Sequence, residues 1–246
     1  MRLNCVFYLI IYNIMNFSSF AKFNPSKCNC NCGHHGCMNN TLKDNSTVES
    51  NDKFKIVVVL DESGSMESIR KNMLDSLNDL IKEQKQIKER PATFTLIKFN
   101  DKINKKMENM PLEETNLLSS EDYTPNGATA LYDAIGYTIN RFRNERDVLM
   151  VIITDGQENS SKQYNKQYVS TKLDEKKKYN NWSYVYLSCD LQTFEQGTGM
   201  GLNNSAFSSN VQIRQESYGS YISKNLNSAL SNFRRNGVSV QSQLNS

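Results

Sequence analysis

From residue 54 onward, short and almost continuously apolar runs alternate with segments whose apolar residues recur every three or four positions. FKIVVVL at 54–60 and VLMVIIT at 148–154 are apolar on both faces, as central strands of a parallel sheet are. ATFTLIKF at 92–99, entered after Pro91, predicts a further strand, and YVYLS at 184–188 another. KINKKME at 102–108 is short and charged, which suits a sheet edge, and a last short strand is expected near 205–208. Met66, Ile69, Met73, Leu77, Leu80 and Ile81 mark one face of a helix after the first strand. A second helix is expected from about Thr129, with Leu131, Ile135, Ile139 and Phe142 as its stripe. A charged helix over 164–178 and a C-terminal helix carrying Tyr218, Ile222, Leu226, Leu230 and Phe233 complete the pattern. GTGMG at 197–201 follows a helix-like segment and reads as a flexible loop. The alternation predicts a doubly wound α/β fold: a mostly parallel six-stranded sheet with helices on both faces and one antiparallel edge strand.

Such sheets bind ligands at the carboxyl ends of their strands, where the strand order reverses. In the order 3-2-1-4-5-6 the first and fourth strands are neighbours at that point. The first runs into Asp61 and the fourth into Asp155, so two carboxylates distant in sequence would meet. At about 4 Å they would repel by roughly 4 kcal/mol at an effective dielectric near 20. A shared proton or a cation would relieve this. Ser63 and Ser65 follow Asp61, and Thr129 opens the next long helix. These are oxygen donors with no sulfur or imidazole among them, a set that favours Mg²⁺, then Mn²⁺ or Ca²⁺. Each piece also has a plainer explanation. Ser65 could cap a helix beginning at Met66, and Asp155-Gly156 could be only a turn.

Asp61-x-Ser63-x-Ser65, then Thr129, then Asp155 resemble the metal-ion-dependent adhesion site of von Willebrand factor A domains. The resemblance spans roughly residues 54–235 and includes the order of strands and helices; it implies the Rossmann-like fold of that family. The DESGSM loop and the GATALYDAI helix look most like small stand-alone microbial or viral members. The resemblance implies that Ser63 and Ser65 ligate the metal directly and that Asp61 and Asp155 act largely through water. It further implies that Thr129 joins when a ligand is engaged. A cation held by neutral hydroxyls keeps its pull on an outside carboxylate. The expected partner is therefore a protein presenting an acidic residue, with no small-molecule substrate.

Composition narrows the alternatives. The 246-residue chain carries a formal net charge of +3, and its lysine clusters at 82–90 and 172–179 are interleaved with acids, so a nucleic-acid partner is not expected. That argues against a nucleic-acid-associated A domain of the Ku type. Both histidines, His34 and His35, precede the body, so no Ser–His–Asp or Cys–His arrangement can form within it. No phosphate-binding G-x-x-x-x-G-K-[ST] loop is present. Cys189, alone in the body, reads as a small core residue. The surviving catalytic alternative is a Mg²⁺-dependent hydrolase using a metal-bound water, with Glu158 or Asp133 as base. The expectation is a binding module and not an enzyme.

The domain is expected over 53–236, followed by a polar tail at 237–246. Residues 1–21 hold Arg2, an eleven-residue apolar run from Cys5 to Met15, and small residues at Ser19 and Ala21. This matches a secretory signal or signal-anchor, although Asn13 and the tyrosines fit an uncleaved extension equally. The protein would be secreted or membrane-anchored in the first case and cytoplasmic in the second, and would meet a membrane only through this segment. Residues 22–52 are a polar linker containing Cys28, Cys30, Cys32, His34, His35 and Cys37. These could bind a soft metal such as Zn²⁺, form disulfides, or do neither, since the C-x-C spacing is tighter than in zinc ribbons.

Overall fold

The computed structural model describes residues 53–245. The apolar segment 1–21 and the Cys/His cluster at 28–37 lie outside the described residues. Six strands form one sheet: β1 (Phe54–Asp61), β2 (Ala92–Phe99), β3 (Ile103–Pro111), β4 (Val148–Ile153), β5 (Ser183–Ser188) and β6 (Ser208–Gln212). Their order is β3-β2-β1-β4-β5-β6, parallel throughout except for the antiparallel edge strand β3. The expected doubly wound α/β sheet, with a charged antiparallel edge, is what forms.

Every residue of β1 and of β4 is buried. Side-chain alternation divides them between two cores. Ile56, Val58, Leu60, Leu149, Val151 and Ile153 face one helical layer, which contains α1 (Arg70–Lys85) and the C-terminal helix. Val57, Val59, Met150 and Ile152 face the other, built on α2 (Leu131–Arg141) and α3 (Lys166–Asn180). Helix α4 (Leu191–Gly199) follows β5. Hydrogen exchange should therefore be slowest in 54–60 and 148–154 and faster along β3; rapid exchange through 148–154 would contradict this layering.

Three local features differ from the sequence pattern. The stretch GTGMG is not wholly loop, because α4 runs through Gly199. Gly197 is required there, since a Cβ would come within 2.7 Å of the Tyr186 ring. The last strand lies at Ser208–Gln212, slightly later than expected. The C-terminal helix, α5, starts as Tyr218–Tyr221, passes through a π-turn at Ile222–Leu226 and continues as Asn227–Asn236. Its stripe Tyr218, Ile222, Leu226, Leu230 steps by four, which drifts about 40° per step on a regular helix. The wider π-turn reduces that drift, and all four residues are buried. A short α6 (Val240–Leu244) then returns Val240 to the first core.

Candidate metal centre

β1 and β4 pair in parallel, with Leu60 opposite Ile153, so both strands deliver their next residues to the same end of the sheet. Asp61 is fully buried. Its Oδ1 accepts the Ser63 backbone N–H at 2.7 Å and its Oδ2 accepts the Thr154 hydroxyl at 2.7 Å. Burial raises its pKa from 3.8 to about 6, against the lowering effect of these bonds, and the nearby Asp155 charge pushes the same way as burial. Asp155 is also raised by burial, opposed by hydrogen bonds from Ser65 and Gln215. Both strand-end carboxylates are thus costly to ionise without a cation.

The serines are not capping a helix. Residues 64–69 form a 3₁₀ turn, α1 begins only at Arg70, and Ser63 at the N-cap position makes no side-chain capping bond. Instead the Ser65 hydroxyl donates to Asp155 Oδ1 at 2.6 Å, and the Ser63 and Ser65 oxygens lie 3.1 Å apart. Thr129 arrives from the opposite layer, two residues before α2 begins. Its N–H donates to Asn159 Oδ1 at 2.9 Å and its carbonyl accepts the Asn159 N–H at 3.0 Å. Its buried side chain has no hydroxyl hydrogen bond among the described residues.

Gly156 shows where these groups converge. A Cβ placed on it would lie 2.9 Å from Thr129 Oγ1, 3.7 Å from Asp61 Oδ2 and 3.7 Å from Ser65 Oγ. Oxygen donors from the end of β1, the turn after it and the segment before α2 therefore lie within 3.7 Å of one point. Among the described residues, no three His, Cys, Asp or Glu side chains form a metal-binding group. This set has two carboxylates and three hydroxyls, a hard, all-oxygen composition that fits Mg²⁺ or Mn²⁺ and not a thiophilic ion.

Several residues that hold the site carry no periodic or motif signal. Thr154 orients Asp61, Gln215 donates to Asp155, and the Tyr123 hydroxyl donates to the Asp61 carbonyl at 2.7 Å. Glu62 receives the Lys98 ammonium at 2.7 Å and the Thr124 N–H at 2.7 Å, which ties the loop after β1 to the segment 122–128, taken as the rim beside it. The two candidate bases are already engaged. Glu158 accepts the N–H groups of Tyr132, Ser160 and Ser161, and Asp133 accepts those of Lys162, Gln163 and Tyr164. Cys189 donates to the Asp155 carbonyl at 2.9 Å, and burial pushes its thiol up to about 11, away from nucleophilic use.

The family model for the von Willebrand factor type A domain matches residues 55–186, more than half of the chain. The chain belongs to this family. Solved structures share the A-domain fold at low identity. A von Willebrand factor type A protein from Catenulispora acidiphila is 12% identical with a TM-score of 0.53, over 75% of this chain and 43% of that one. The PilB minor pilin from Streptococcus sanguinis is 12% identical with a TM-score of 0.57, over 75% and 62%. Proximal thread matrix protein 1 from the mussel byssus is 14% identical with a TM-score of 0.50, over 70% and 46%. The alignments thus cover less than two thirds of these proteins' own lengths. Comparison with curated protein sequences gives no match. Among the described residues of this A domain, no helix is long and apolar enough to cross a membrane.

Proposed function

We propose that this A domain is a divalent-cation-dependent protein-binding module that docks a carboxylate of its partner. The observation that carries the reading is the convergence of Thr129 Oγ1, Asp61 Oδ2 and Ser65 Oγ around Gly156, with Asp155 bound to Ser65 beside them. Ser63 and Ser65 would hold the cation directly, Asp61 and Asp155 largely through water, and Thr129 would join when the partner's acid is engaged, with Mg²⁺ as the best fit and Mn²⁺ as its substitute. The bound cation would supply a positive centre for an incoming acid. The protein's part is to present oxygen donors from a rigid sheet end and to bury both carboxylates, so that they favour a cation over water. The domain proper is taken as 53–236, with 237–246 as an extension. The DESGSM loop is the reason for reading it as similar to small stand-alone members of the family.

The hydrolase alternative gains no support, because Glu158 and Asp133 are each bound to three backbone N–H groups. Pilus and thread proteins among the structural neighbours are in keeping with a binding role. Whether Cys28, Cys30, Cys32, His34, His35 and Cys37 hold Zn²⁺ is a separate proposal, tested by zinc analysis of the full chain after their replacement by serine.

Thr129 distinguishes holding the cation from using it. It comes from a different element than the serines, and its hydroxyl is not bound to other described residues. Thr129→Val should leave Mn²⁺ binding nearly normal and weaken Mg²⁺-dependent capture of an acidic partner by about 1–3 kcal/mol, roughly ten- to hundredfold. A Mg²⁺-against-EDTA pull-down from the native source measures it. Full partner capture by the variant would remove Thr129 from the docking role.

A further inference from the structure

The segment between β6 and α5 brings to the site a side chain that the A-domain motif does not include. Gln215 Nε2 donates both to Asp155 Oδ2 and, at 3.0 Å, to the Ser65 carbonyl. Asp155 Oδ1 meanwhile accepts the Ser65 hydroxyl at 2.6 Å. Both oxygens of this carboxylate are therefore held by the protein's own donors. The amide is presented from a firm platform. Three residues later the buried Tyr218 donates its hydroxyl to the Thr154 carbonyl at 2.6 Å. Gly219 then lies so close to α1 that a Cβ would come within 2.8 Å of Ser76 Oγ. Asp61 also accepts one protein donor on each oxygen, the Ser63 N–H and the Thr154 hydroxyl. Its Oδ2, however, has a second side that faces Gly156 together with Thr129 Oγ1 and Ser65 Oγ, whereas Asp155 Oδ2 is covered by the Gln215 amide.

We infer that Gln215 is a positioning residue that keeps Asp155 on protein donors and out of direct contact with the cation. The inference rests on the cation-site reading above. A carboxylate satisfied by directed N–H and O–H donors has little to gain by exchanging them for a metal bond. Held back in this way, Asp155 supplies charge nearby without neutralising the cation, which keeps its attraction for an external acid. Without the amide, Oδ2 is released and Asp155 becomes available as a direct ligand. The site should then hold its metal more tightly and an outside carboxylate more weakly.

Gln215→Met retains the length and shape of the side chain and removes both donated bonds. The test uses the full chain, Mn²⁺ as the metal and acetate as the carboxylate. Magnetic resonance of bound Mn²⁺ and water-proton relaxation report affinity and metal-bound water. The variant should bind Mn²⁺ about tenfold more tightly, with fewer bound waters, and take up acetate about tenfold more weakly. A variant that melts like wild type in EDTA and matches its Mn²⁺ affinity and hydration would overturn the inference. Weaker Mn²⁺ binding would overturn it too, since Gln215 would then assemble the site instead of restraining Asp155. A wild type that binds no Mn²⁺ would remove the cation-site reading itself, a result distinct from wild type and variant binding alike.

Discussion

Asp61→Asn is expected to stabilise the metal-free protein by about 1–3 kcal/mol at neutral pH while weakening cation binding about hundredfold or more. The two effects share one cause. Asp61 is fully buried at the end of β1, and its pKa is raised from 3.8 to about 6. The folded chain keeps a proton there to about pH 6, whereas the unfolded chain releases it near 3.8. The stabilising contribution is therefore fully present below pH 3.8 and is lost as the pH rises through about 6. Burial raises Asp155 as well and adds in the same direction. Asparagine fits the local bonds. Its oxygen can accept the Ser63 N–H, its amide can donate to Thr154 Oγ1, and that hydroxyl can turn its hydrogen to the Gly156 carbonyl, already 3.0 Å away. Melting curves in EDTA between pH 4 and pH 7 should fall for wild type and flatten for the variant. A variant less stable than wild type at neutral pH would mean that the carboxylate is not strained in the metal-free protein.

Lys98→Met should act in the opposite direction, lowering stability by about 3–5 kcal/mol. The Lys98 and Glu62 side chains are only 10% and 3% exposed, and their charges meet at 2.7 Å. Removing the ammonium strands the Glu62 carboxylate with the Thr124 N–H as its remaining donor. The effect should reach the rim, because the Glu62 carbonyl also accepts the Asn126 N–H at 2.8 Å. Much of the loss is the cost of an uncompensated charge. Adding Glu62→Gln to the same chain should therefore recover part of it, a non-additivity that urea unfolding of the single and double variants would measure. A loss below about 1 kcal/mol for Lys98→Met alone would show that the pair contributes little.

The sheet centre was legible because β1 and β4 are buried on both faces, which leaves unbroken apolar runs. Asp61 and Asp155 were legible because they end those runs, and Thr129 because it stands just ahead of an amphipathic helix. β6 was harder to place. Ser208, Ser209 and Asn210 are buried although polar, so burial left no hydrophobic signature. The glycines of α4 argued for a loop, yet Gly197 is the residue that lets the helix approach Tyr186. Thr154 and Gln215 escaped for another reason. Each acts on a carboxylate 93 or 60 positions away, through a contact that exists only once β1, β4 and the start of α5 share one end of the sheet. Glu158 and Asp133 show the converse. Acids near a site look available in sequence, and only the fold reveals the backbone N–H groups that occupy them.

The most direct test of the cation site is calorimetric titration of Mg²⁺ into the full chain and into Gly156→Ala. Mg²⁺ is a hard ion that the N-terminal cysteines and histidines would not compete for. Gly156 has no left-handed backbone conformation, so alanine is opposed only by what its methyl group meets. That methyl group would stand 2.9 Å from Thr129 Oγ1 and within 3.7 Å of Asp61 Oδ2 and Ser65 Oγ, in the space the donors enclose. Wild type should bind one Mg²⁺, and the folded variant should show affinity reduced about hundredfold or more. Equal Mg²⁺ binding by both proteins, or none by wild type, would contradict the assignment of this cradle as the metal centre.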